Sequence, residues 1–119
     1  MVRGFRYVSF NMLGELERAV TDKTGAIMLA PIQGEGGVHV ADRQYVKQVR
    51  DLCSKKDVLL IFDEIQTGMG RTGTLFAYAQ LGVQPYIMTL AKALWGGVPN
   101  RPCPATDAVA KALSPDTHA

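Results

Sequence analysis

The sequence predicts an α/β fold: a mostly parallel sheet flanked by helices. Three observations carry that expectation. Val58 to Phe62 is an unbroken apolar run, which suits a strand buried on both faces. The stretch before it, from Asp42 to Lys55, has the apolar spacing of a one-sided helix. Between Ala26 and Leu90 candidate strands and helices alternate, the order that builds crossovers on a parallel sheet.

In chain order, Asn11 to Val20 reads as a short helix. Asn11 is its candidate cap, Leu13, Leu16 and Val20 share one face, and Gly14 weakens it. Ala26 to Ala30 is a compact apolar strand, and Pro31 to Val40 (PIQGEGGVHV) a glycine-rich loop. Asp42 caps the main helix. Tyr45, Val46, Val49, Leu52 and Cys53 form its buried face, and Lys55 and Lys56 sit at its end, where the helix dipole favours positive charge. The apolar strand then ends in Asp63-Glu64. Gln66 to Gly73 (QTGMGRTG) reads as a loop, Leu75 to Leu81 as a short helix, Tyr86 to Leu90 as a strand and Thr106 to Leu113 as a last helix. Prolines crowd the end of the chain from Pro99 onward.

Composition narrows the function. With 47% hydrophobic and 20% charged residues, the chain of 119 can bury one core. Its 13 basic and 11 acidic residues are mixed rather than gathered in a stripe, so nucleic acid is not expected as a partner. No apolar run approaches the roughly 18 residues that span a bilayer, so neither is a membrane. The start, MVRGFRYVSF, lacks the apolar stretch of a secretory signal. Cys53 and Cys103 suggest neither a disulfide framework nor a metal site, and a reducing, cytoplasmic setting is expected.

Ligands of open parallel sheets sit beyond the carboxyl ends of the strands. Asp63 falls at such an end, and Lys92 follows the last strand. A partly desolvated carboxylate there wants a cationic partner, such as a protonated ring nitrogen, or simply caps the turn. Lys92, ahead of Gly96-Gly97, can form an imine with an aldehyde cofactor or be a solvated lysine. The loop QGEGG (33–37) lets backbone approach a ligand but lacks GxGxxG. His39 reads as structural and Arg71 as a surface arginine. VLLIFDE also fits the magnesium-holding strand of a nucleotide-hydrolysing ATPase, which requires a GxxxxGK[ST] loop that these residues do not contain.

Together the motifs have a family likeness. APIQGEGGV (30–38), LLIFDEIQTGMGRTGTLFAY (59–78) and TLAKALWGG (89–97), with ADRQYVKQVRDLC between the first two, strongly resemble class III aminotransferases. Within that class, GEGGV and TGMGRTG look more like the acetylornithine and succinylornithine enzymes than the ornithine ones. The resemblance implies that residues 1–119 form part of the large domain of a fold-type I pyridoxal-phosphate-dependent transferase, incomplete at both ends. It implies pyridoxal 5'-phosphate as cofactor, carried covalently by Lys92, which also moves the proton. Asp63 would hold the ring nitrogen protonated, Gln66 would hydrogen-bond the ring's phenolic oxygen, and Glu35 would be the gating glutamate that pairs with or releases an arginine. The implied reaction moves an amino group from N-acetylornithine, or a related ω-amine, to 2-oxoglutarate, as in arginine biosynthesis. Complete members are longer and homodimeric, so an inactive fragment or decayed copy is the alternative.

The chain departs from the family pattern in places. Ala30 stands for a usual glutamate, Tyr86 for an aspartate and Trp95 for a glycine. Asn100-Arg101-Pro102 and Pro104 replace a small apolar stretch, where proline is expected to remove ladder hydrogen bonds. Met12 and Gly14 depart from the usual early helix.

Overall fold

A computed structural model describes residues 3–92 and 100–112. Trp95, the Gly96-Gly97 pair and Leu113 lie outside them.

The main helix, α2 (Arg43–Lys56), follows the sequence closely. Asp42 caps it, its Oδ1 accepting from Tyr45 N at 2.9 Å. Its end turns through Asp57 in the left-handed conformation (φ 54°), with Val58 N donating to Cys53 O. Tyr45, Val46, Val49 and Cys53 are buried, as the spacing predicts.

That face packs on three parallel strands: β1 (Ala26–Leu29), β4 (Leu59–Asp63) and β5 (Ile87–Thr89), in the order β1-β4-β5. Strand, helix, strand, helix, strand is therefore the observed order, with α3 (Tyr78–Leu81) in the second crossover. Ile27, Leu29, Leu60 and Phe62 form one core cluster with α2 and with Leu16 of α1 (Leu13–Ala19).

Among the described residues, burial on both faces is not what this sheet shows. Its burial alternates: Leu60 and Phe62 are fully buried, while Leu59 and Ile61 are half-buried and Met28 is 52% exposed. The helices cover one face. The other carries Ala26, Met28, Leu59, Ile61 and Ile87 in register, all apolar.

Several boundaries tighten. Asn11 does not cap α1. It has φ 62°, and its side chain bridges Val40 O (3.1 Å) and Asp42 N (2.9 Å). Met12 takes the cap position without a side-chain bond, and Ser9 N donates to Glu15 Oε2 at 2.9 Å instead. The 31–40 loop contains a short hairpin, β2 (Ile32–Gln33) against β3 (His39–Val40). Leu75 lies outside α3 and is exposed, and the last helix, α4, spans Asp107–Ala110.

The proline stretch keeps part of its ladder. Residues 102–106 run against β5, with Ile87 bridged antiparallel to Ala105. Pro102 O accepts from Leu90 N (3.0 Å), Pro104 O accepts from Met88 N (2.9 Å) and Thr106 N donates to Tyr86 O (2.9 Å). At this sheet margin each proline contributes its carbonyl and lacks only the N–H. Tyr86 has a neighbour as well: the Arg50 guanidinium carbon lies 4.1 Å from its ring centroid. That distance is within the range of a cation–π contact.

Candidate active site

The end of β4 sends two consecutive acids to opposite sides. Glu64 follows Phe62 inward and is 1% exposed. Its oxygens accept from Thr67 Oγ1 (3.0 Å), Ala77 N (2.8 Å) and Tyr78 N (2.8 Å). A buried carboxylate is tolerated only when so satisfied. Glu64 thereby closes the 66–73 loop and seats the start of α3. Gly68 fits beneath it, since a Cβ there would lie 2.9 Å from Glu64 O and 3.0 Å from Leu90 Cδ2. Sequence reasoning did not single out Glu64. Strand alternation was the available signal, because Glu64 shares parity with Leu60 and Phe62.

Asp63 faces the other way, with Ile61, and is half-buried. Its Oδ1 accepts from Ile65 N (3.0 Å) and from Thr89 Oγ1 (3.3 Å). Beside it opens a cleft of about 340 Å³, lined by residues that include Ala30, Glu35, Asp63, Gln66 and Lys92. The structure therefore brings all four predicted site residues, Lys92, Asp63, Gln66 and Glu35, to one concavity at the carboxyl ends of β1, β4 and β5. Ala30, the departure before the glycine-rich loop, lies in the same wall.

Gln66 and Glu35 touch: Gln66 Nε2 donates to Glu35 Oε1 at 3.1 Å. Gly34 makes room for that pair, because a Cβ there would run into Gln66 Oε1. Lys92 is exposed and has φ 60°, the left-handed region that lysine seldom adopts. Such backbone outliers concentrate at functional sites. His39 and Arg71 are both exposed and outside the cleft lining.

These donors suit one part of a pyridoxal phosphate molecule. Asp63 offers a carboxylate for a ring nitrogen, Gln66 an amide for a phenolic oxygen and Lys92 an amine for an aldehyde. A cleft of this size is within the range of small-molecule sites. For the phosphate the lining described here provides neither an arginine nor a helix N-terminus. No described helix is long and apolar enough to cross a membrane.

Residues 7–119 match the model of the family described as Aminotransferase class-III. The chain is 58% identical over 115 residues to acetylornithine aminotransferase of Methanocaldococcus jannaschii, covering 97% of this chain and 29% of that one. It is 49% identical over 115 residues to succinylornithine transaminase of Yersinia pseudotuberculosis, covering 97% and 28%. Among solved structures, N-acetylornithine aminotransferase of Stenotrophomonas maltophilia superposes with a TM-score of 0.88 at 52% identity, over 93% of this chain and 31% of that one. Ornithine aminotransferase of Toxoplasma gondii, with PLP partially occupying its active site, gives 0.91 at 42% identity, over 98% and 28%. The chain thus spans under a third of the length of these relatives.

Proposed function

We propose, from the premise that this chain belongs to the class III aminotransferase family, that it supplies the ring-holding and lysine-bearing part of an acetylornithine-type aminotransferase. The observation that carries this reading is the convergence of Asp63 and Lys92, from the ends of adjacent parallel strands, on one cleft. Pyridoxal phosphate, when bound, supplies an electron sink for the substrate carbon. The residues do the rest. Asp63 keeps a proton on the ring nitrogen. Lys92 tethers the aldehyde carbon and carries the proton at the substrate carbon. Gln66 donates to the phenolic oxygen, and Glu35 gates the substrate's second charged group. The proposed donor is N-acetylornithine or a related ω-amine, and the acceptor is 2-oxoglutarate. Residues 1–119 are proposed as part of a large domain whose complete form is a cytoplasmic homodimer.

A second reading concerns the chain by itself. The cleft's want of a phosphate partner among the described residues favours weak cofactor retention, hence inactivity of the isolated 119 residues.

Both readings are testable. The segment is exchanged for the 115 residues it matches in the M. jannaschii enzyme. The holoenzyme should show the visible absorption band of the lysine-bound cofactor and transaminate acetylornithine. Lys92→Ala should abolish both, and an unchanged spectrum removes Lys92 from its role. Tight cofactor binding and turnover by the isolated chain contradict the second reading.

A further inference from the structure

We infer that Thr89 is a positioning residue for Asp63, its hydroxyl fixing which carboxylate oxygen is left for the cofactor. This rests on the proposed function of Asp63.

The β4–β5 register pairs Asp63 with Thr89 on the open face of the sheet. Glu64 N donates to Thr89 O at 3.0 Å, which locks the strands at that point. Across the pair, Thr89 Oγ1 donates to Asp63 Oδ1 at 3.3 Å, and Ile65 N donates to the same oxygen at 3.0 Å. Both donors converge on Oδ1. Among the described residues none reaches Oδ2, although Asp63 lines the cleft. Two donors on one oxygen hold the carboxylate plane and leave the other oxygen's lone pairs for a cationic N–H. The backbone donor alone fixes a distance, whereas the hydroxyl adds a second direction and so limits rotation about the Cβ–Cγ bond.

Thr89 also links the site's two charges. It lies on β5, three positions before Lys92, so the strand that delivers the amine also orients the acid. The branched side chain favours a strand, as any threonine does. An ordinary cross-strand pair would serve stability alone. The positioning role differs in that the hydroxyl, rather than the side chain's shape, governs the state of the ring nitrogen.

The test uses the grafted holoenzyme loaded with pyridoxal phosphate carrying ¹⁵N in its ring, whose resonance reports protonation directly. Thr89→Val keeps shape and strand preference but removes the donor, and Thr89→Ala is a second variant without hydroxyl. In both, the resonance should move toward the unprotonated position and cofactor affinity should fall roughly three- to tenfold, the net scale of one ordinary hydrogen bond. Thr89→Ser should restore both. The inference is overturned if either folded hydroxyl-less variant leaves the resonance in place, or if Thr89→Ser shifts it as far as they do. Asp63→Asn separates the two layers. A shift there without one in Thr89→Val removes only Thr89, whereas no shift in Asp63→Asn removes the reading of Asp63 itself.

Discussion

The two faces of the β1-β4-β5 sheet are both apolar, yet only one is finished within the described residues. On the helix-covered face Leu60 and Phe62 are wholly buried beneath Val46 and Val49. On the open face Met28, Ile61 and Ile87 stand in register and only half-buried or exposed. The consecutive acids obey the same division. Glu64, on the covered side, has its oxygens taken by the protein. Asp63, on the open side, keeps one oxygen without a partner among the described residues. One face holds the chain together, and the other carries the proposed site at its rim.

Point substitutions can break that division. Phe62→Ala should cost about 3–5 kcal/mol through lost burial and the cavity left behind, whereas Ile61→Ala should cost about 1–2 kcal/mol. Denaturant midpoints measure both, and equal losses would mean that the open face is covered too. Glu64→Ala orphans a hydroxyl and two backbone N–H groups and should cost about 2–4 kcal/mol. Asp63→Ala should cost about 1 kcal/mol in stability while abolishing cofactor retention in the grafted enzyme. If Asp63→Ala proves the more destabilising, the assignment of structural and chemical acids is reversed.

The smallest effect is on pH dependence. Burial pushes the Cys53 thiol up to about 11 from its ordinary 9.0, with Arg50 opposing. The unfolded chain releases that proton first as pH rises, so Cys53's contribution is complete below pH 9 and is lost between about 9 and 11. Tyr45, also raised by burial, acts in the same direction. Cys53→Ala should flatten the decline measured by denaturation across that window. At pH 8 a thiol reagent should label exposed Cys103 and spare Cys53 until the chain unfolds.

What the sequence made legible was what local pattern determines. The Asp42 cap, the buried face of α2 and the alternation of strands and helices depend on neighbours a few positions away. The proposed site residues rest on family likeness, while their gathering into one cleft depends on strand register. Asn11 misled because its preference for caps also suits a left-handed residue that bonds Val40 and Asp42, distant in sequence. Pro102 and Pro104 misled because loss of an N–H matters little where the carbonyl still meets β5. Tyr86 stacks under the Arg50 guanidinium, a contact between positions distant in sequence that local pattern does not reveal, while Arg50 Nη1 stays buried without a hydrogen-bond partner among the described residues.

The β2–β3 hairpin has a further consequence. Its foot is fixed twice, by Ala41 N donating to Pro31 O and by the Asn11 side chain across Val40 and Asp42. Glu35 rides at the tip, where Val38 N closes back to Gly34 O. A tip on an anchored foot behaves as a short lever: an exchange at Gly36, where a Cβ would meet only ordinary contacts with Gln33, re-aims the Glu35 carboxylate over the cleft mouth while the sheet below keeps its register, whereas Gly37, at φ 115°, has to stay glycine.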